Sequence, residues 1–186
     1  MRKLIYSMTV SLDGFIAGPD GDIGFSAPDE EVFRFHTQRV AEQSGQLLGR
    51  GLYETMLAWE TVDQWPSAGE AEHEFARIWL PLPKVVFSAS LETVQGNARL
   101  VRDGLAEETV RLKEAPGKNL GVGGAHLAAS LTKLGLIDEY LMFVAPVVLG
   151  AGTPYLPGLD QRLDLELVET RTFAAGLVYL RYARAA

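Results

Sequence analysis

Two hydrophobic rhythms alternate along this chain. Short apolar runs rich in β-branched and aromatic residues read as strands, and stretches with apolar residues three and four apart read as helices. Lys3–Val10 is the first strand. SLDGFIAGPDGDIGF (11–25) follows, and its Asp13-Gly14, Pro19-Asp20-Gly21 and Gly24 predict a surface loop over 18–25. Ser26, Pro28 and Asp29 then supply a cap oxygen, a first-turn proline and an acid at the positive helix end. The helix is expected from Pro28 to Gln43, with Val32, Phe33, Phe35 or His36, and Val40 inward.

Gln46–Gly49 is a short apolar piece that turns at GRGLYETM (49–56) into a second helix, whereas 57–69 has no period. Glu70–Leu80 reads as a helix stopped by Pro81 and Pro83. KVVFS (84–88) and NARLV (97–101) are short strands, followed by a helix over Asp103–Glu114. Asn119–Val122 is a strand, and Gly124–Leu134 a helix closed by Gly135. EYLMFVAPVVLG (139–150) is apolar nearly throughout, as a strand covered on both faces is. After the loop GAGTPYLPG (150–158), LDLELVET (163–170) and GLVYLRYAR (176–184) alternate as a terminal hairpin. The order predicts one three-layer α/β domain over 1–186, with a mostly parallel sheet and an antiparallel C-terminal edge.

Composition narrows the function. The net charge of −7 and the lack of a basic cluster argue against nucleic acid as a partner. No apolar run has the ~18 residues of a membrane span. Ser7, Thr9 and Ser11 interrupt the N-terminal apolar run, which makes it a first strand rather than a signal peptide. The chain has no cysteine, which excludes disulfides and thiolate chemistry and fits a cytoplasmic protein. His36, His73 and His126 lack ligand spacing, so no metal is expected.

Chemistry concentrates at three strand-to-helix turns. In NLGVGGAHLAASL (119–131), Gly121 and Gly123 would need a further glycine at 126 for a dinucleotide fingerprint, and His126 stands there. No Gly-Lys-Ser/Thr exists either. Gly123 and Gly124 still permit close backbone approach at a helix start, or simply a tight turn. GRGLYE (49–54) puts the cation Arg50 at the positive end of a helix, where a guanidinium suits a phosphate or pairs with a surface acid. FSASLE (87–92) offers Ser88 and Ser90, as ligand donors or as turn caps. Ligands of open α/β sheets sit at the carboxyl ends of strands, and all three turns lie there.

Taken in order, MTVSLDGFIAGPDGDI, LLGRGLYETM, LPKVVFSASLE, GVGGAHLAASL, LIDEYLMFVAPVVLGAGTPYL and LVYLRYAR resemble the dihydrofolate reductase-like family. The branch is that of the C-terminal reductase domain of the riboflavin-pathway deaminase–reductase and its stand-alone relatives. The resemblance covers essentially the whole chain. It implies a central, mostly parallel sheet of about eight strands with helices on both faces, and NADPH as hydride donor. By matching motif, Gly49, Arg50 and Gly51 would hold the cofactor phosphates, with Tyr53 in the same helix start. Ser88, Ala89 and Ser90 would lie along the adenosine 2′-phosphate. Val122, Gly123, Gly124, Ala125, His126 and Leu127 would pass under the pyrophosphate and nicotinamide ribose, with a cis peptide between the two glycines. Thr9, Ile16 and Ala17 would flank the nicotinamide.

The implied reaction is hydride transfer to a C=N or C=O carbon of a small heterocyclic or sugar-linked substrate, as in 5-amino-6-(5-phosphoribosylamino)uracil reductase. Asp13, Asp29 and Glu31 are candidates for supplying the proton, and the apolar hairpin could pair two chains into a homodimer. Two departures stand out. Val32–His36 holds no carboxylate where folate reductases place one, and Gly150-Ala151-Gly152-Thr153-Pro154 holds no basic residue. A non-catalytic nucleotide-binding module on the same fold is the alternative.

Overall fold

In a computed structural model describing residues 1–185, the chain forms an eight-stranded sheet with helices on both faces. In chain order the elements are β1 (Leu4–Ser11), β2 (Phe15–Ala17), α1 (Glu30–Ala41), β3 (Gln43–Gly49), α2 (Arg50–Met56), α3 (Glu70–Trp79), β4 (Lys84–Phe87) and β5 (Ala98–Val101). Then come α4 (Leu105–Glu114), β6 (Asn119–Gly123), α5 (Ala125–Lys133), β7 (Glu139–Ala145), β8 (Thr153–Pro154), β9 (Leu165–Thr172) and β10 (Val178–Arg184). The strand order is β5-β4-β3-β6-β1-β7-β10-β9. Every pairing from β5 to β7 is parallel, and β10 is antiparallel to both β7 and β9.

This is the dihydrofolate reductase-like α/β architecture with the expected antiparallel C-terminal pair. Three boundaries differ from the sequence reading. The first helix starts at Glu30 because Asp29 is its cap, Oδ1 accepting from Val32 N at 2.8 Å, while Ser26 donates to Ile23 O in a separate 3₁₀ turn. Gln43 belongs to a strand rather than to that helix. The strand from Glu139 ends at Ala145, before Pro146, and the next segment supplies β8, which pairs with β2 in a small second sheet.

Alternation along the central strands assigns the two faces. Leu4, Tyr6 and Val10 of β1 pack with Leu120, Val122, Leu127 and Leu131 in one cluster on the α5 face. The opposite face carries two clusters instead of one. Ile5, Phe35, Phe143 and Tyr179 make the first, between α1 and β1, β7 and β10. Val40, Leu48, Phe75 and Trp79 make the second, over β3 and β4. The interval between them lies over β6 and β1, where β6 presents Asn119, Gly121 and Gly123, the glycines covered by the side chains of Gln43, Gln46 and Leu52, and β1 presents Ser7 and Thr9. Among the described residues, no helix is long and apolar enough to cross a membrane.

A candidate active-site cleft at the carboxyl ends of the central strands

A central strand covered by helices on both faces should be buried throughout. β1 is not. Leu4–Tyr6 and Val10–Ser11 are buried, yet Ser7, Met8 and Thr9 between them are partly exposed. The reason is topological. β6 pairs with β1 only as far as Tyr6↔Val122, whereas β7 stays paired through Ser11↔Ala145. Beyond Tyr6 the β6 side of β1 is therefore open.

Gly124 produces that departure. Gly124 has φ 101° and ψ 122°, a conformation that costs a residue with a Cβ, and it directs the chain into α5. The 123–124 peptide is trans, contrary to the cis bond implied by the resemblance, and Gly124 alone makes the turn. An ideal Cβ on Gly124 would lie 3.6 Å from Gly49 N, so the turns after β6 and β3 touch through backbone. Leu52 closes over Gly123, where any Cβ would meet its side chain. Leu127 is buried and packs beside Gly49, Val122 and Ala125 are buried, and His126 points to solvent.

The third turn is tied to the second by side chains. Arg50 Nη1 donates to Ser90 Oγ at 3.0 Å, and its Nε donates to Glu54 at 2.8 Å. Ser88 Oγ accepts from the backbone of Ser90 and Leu91, which rolls the 88–91 segment into a turn with Ala89 exposed at its tip. A second arginine, Arg102, braces the same turn by donating to Ala89 O and Glu92 O. The sequence reading missed it, because Arg102 follows β5 and reaches this place only through the β4–β5 pairing. Tyr53 is placed elsewhere: it is 4% exposed in the cluster over β3, and its hydroxyl accepts from Gln95 N at 2.6 Å.

On the other side of β1, two segments are stitched into a flap. Leu12 N donates to Val147 O and Tyr155 N donates to Gly14 O. Ala17 pairs with Thr153, and Gly152 approaches so closely that a Cβ there would collide with Ala17 O. Ile16 is half-buried beneath this flap and Ala17 is buried. Tyr155 stacks on Tyr6 at 4.4 Å, and the Tyr6 hydroxyl donates to Tyr155 O at 2.8 Å, anchoring the flap in the core.

The three candidate acids are all engaged. Asp13 accepts from Leu149 N and Gly150 N at 3.1 and 2.7 Å. The Ser11 hydroxyl and these amides lower its pKa to about 2. Asp29 caps α1. Glu31 pairs with Arg171 of β9 at 2.8 Å. Asp13 is thus an anion that holds the flap, and the structure gathers no cluster of the three.

Residues 2–179 match the family described as the RibD C-terminal domain. The chain belongs to that family. YyaP of Bacillus subtilis, an uncharacterized protein, is 32% identical over 182 residues, spanning 97% of this chain and 94% of its own length. The crystal structure of a protein assigned to riboflavin biosynthesis from Shewanella sp. PV-4 superposes with a TM-score of 0.78 at 23% identity, each chain covered to 99%. Dihydrofolate reductase from Enterococcus faecalis, in complex with NADP(H), gives 0.66 at 16% identity, covering 99% of this chain and 97% of its own. These two likenesses concern the fold.

Proposed function

We propose that this chain is an NADPH-dependent reductase that transfers a hydride to a C=N or C=O carbon of a small heterocyclic substrate. One observation carries the reading: the middle of β1 is laid open at the point where three phosphate-suited turns meet. The residues fit the cofactor. Gly124 lets backbone approach a pyrophosphate, and α5 starts with no side-chain cap on its free N–H groups. Arg50, Ser88 and Ser90 form a cationic, hydroxyl-bearing corner for a 2′-phosphate, which would displace Glu54 from Arg50. Thr9, Ile16 and Ala17 flank the open edge of β1, where unpaired backbone groups can hold a carboxamide.

Bound NADPH supplies the hydride. The protein orients the two reactants and limits the water that reaches them, the flap standing beside the open edge of β1. Asp13 fixes the flap as a permanent anion, so the proton reaches the substrate from solvent rather than from Asp13, Asp29 or Glu31. Leu165, Leu167 and Val168, exposed on the edge strand β9, favour a homodimer built through that strand.

Titration with NADPH and NADH, followed by tryptophan fluorescence, tests the cofactor site. Arg50→Ala should weaken NADPH about tenfold, roughly 1.4 kcal/mol, and leave NADH nearly unchanged. Equal losses for both nucleotides would remove the 2′-phosphate assignment. Tight NADPH binding without oxidation by any carbonyl or imine would favour the non-catalytic module.

A further inference from the structure

Building on the reductase reading, we infer that the substrate is an uncharged, flat ring read by His36, and that the site turns away phosphorylated substrates. The two clusters on the α1 face are bridged by His36. His36 packs 6.0 Å from the Phe75 ring of one and 5.9 Å from the Phe143 ring of the other. It therefore spans the interval whose floor is β6 and β1, and Phe143 is the cross-strand neighbour of the exposed Thr9. The helix turn beside it, toward the strand ends, carries Phe33 against Trp59. So the α1 side of the cleft carries aromatic rings and one imidazole, with Leu52 closing its β6 side over Gly123.

That imidazole is half-buried and takes no hydrogen bond from the described residues. Desolvation lowers its pKa to about 4, so it stands neutral at pH 7 with one donor and one acceptor nitrogen. A neutral imidazole between phenyl rings matches the donor–acceptor edge of a planar amide or heterocycle. It gives an anion no charge to meet.

The surrounding loops agree. Residues 11–29, 57–69 and 146–158 contain no lysine or arginine. They carry Asp13, Asp20, Asp22, Asp29, Glu60 and Asp63 instead. The cations on adjoining elements are occupied, Arg34 by Glu30 and Glu74, and Arg171 by Glu31. A phosphate entering this side meets no lysine or arginine on these loops, and to gain an ion pair it would have to displace two acids from Arg34 or draw Arg171 off Glu31 and the Phe35 and Phe173 rings.

The test uses 5-amino-6-ribitylaminouracil and its 5′-phosphate, a pair that differs by one phosphate. Each is titrated calorimetrically into the protein saturated with NADP⁺. The neutral compound should bind at least about tenfold more tightly. His36→Phe keeps the packing between Phe75 and Phe143 and removes both ring nitrogens. It should weaken the neutral compound about tenfold while the NADP⁺ Kd moves less than about twofold. Equal or tighter binding of the phosphate overturns the inference, as does binding of neither compound to the NADP⁺-loaded protein. An unaltered Kd in His36→Phe removes His36 from it. If NADP⁺ itself fails to bind, the reductase reading falls first and this inference falls with it.

Discussion

At the amino ends of the central strands the buried charges of Glu139 and Lys113 are answered by partners, although Arg39 Nε and the Tyr179 hydroxyl nearby are buried without one. Glu139, 1% exposed at the start of β7, accepts from Lys3 Nζ at 2.7 Å and from Arg181 at 2.8 and 3.0 Å. Lys113, also buried, donates to Asp138 and to Leu136 O. Arg2 donates to Leu112 O and Ser44. At the carboxyl ends the same sheet offers glycines at 49, 123 and 124, a half-exposed stretch of β1, and an arginine held only by exposed partners. One end spends its polar groups on buried pairs with each other, and the other holds them at exposed turns, where the proposed cofactor would meet them. In a parallel sheet only the carboxyl end also has helix N-termini pointing at it, so the division follows from strand direction.

The largest effect expected from this contrast is at the closed end. Glu139→Ala leaves two cations facing a buried site, and because Lys3 and Arg181 are themselves partly exposed the cost should be about 3 kcal/mol, at the lower limit for a broken buried pair. For a chain of this size that is a fall in Tm of roughly 6–12 °C, measurable by calorimetry, with NADPH affinity preserved. The pH dependence has a definite sign. Burial pushes the Glu139 pKa up, but hydrogen bonds from Arg181 and Lys3 outweigh it and hold the pKa below the ordinary carboxylate value. Its contribution is therefore complete above about pH 4.5 and is lost as pH falls further. A variant that unfolds like the parent in acid would break the assignment.

Gly152→Ala attacks the open end. The new Cβ would meet Ala17 O, a backbone atom that cannot rotate away, at a residue with φ 142°. The flap should separate from β2, costing about 1–3 kcal/mol, and kcat/KM should fall by more than tenfold. Loss of stability with full activity would show that the flap does not cover the reaction. Asp13→Asn probes the same flap more gently, since the amide keeps one acceptor for Leu149 N and Gly150 N. A drop of about threefold in kcat/KM is expected. The stabilisation Asp13 provides is present above about pH 4 and disappears toward its folded pKa of about 2, so the parent and variant should converge in acid melts.

Much of this was readable from the residues and some could not be. Turn chemistry placed the Gly123-Gly124 corner, because a pair of glycines before a helical period has few other uses. Six motifs in order were enough for the family. The flap was invisible: β2 and β8 have three and two residues, too short for any period, and Asp13 finds its partners 136 and 137 positions away. Arg102 was hidden for the same reason, since its contacts exist only after β4 and β5 pair. His36 could be named as one of two inward residues, but only the split between the two clusters shows that it bridges them. Local chemistry is legible one turn at a time, and the site is assembled across the sheet.

The smallest expected effect on stability belongs to the sheet's outer edge, and it sharpens the contrast from a third direction. β9 has one free edge and is exposed along nearly its whole length, with Leu167 and Val168 more than half exposed. An apolar edge strand of eight residues invites another strand, and charges are the usual protection. Glu166, Glu169 and Arg171 provide some, yet Arg171 is drawn onto the Phe35 and Phe173 rings and Glu169 is turned toward Arg181. That leaves Leu165, Leu167 and Val168 facing outward beside Glu166. Leu167→Lys adds a charge to this surface and touches no buried contact, so the folding stability of a single chain should change by less than about 0.5 kcal/mol. If two copies associate through β9, the mass from light scattering should fall from twice the chain mass to the chain mass of 20.3 kDa while NADPH binding persists. A parent protein already monomeric at high micromolar concentration would end the dimer proposal. A dimer that survives Leu167→Lys would move the interface to another face.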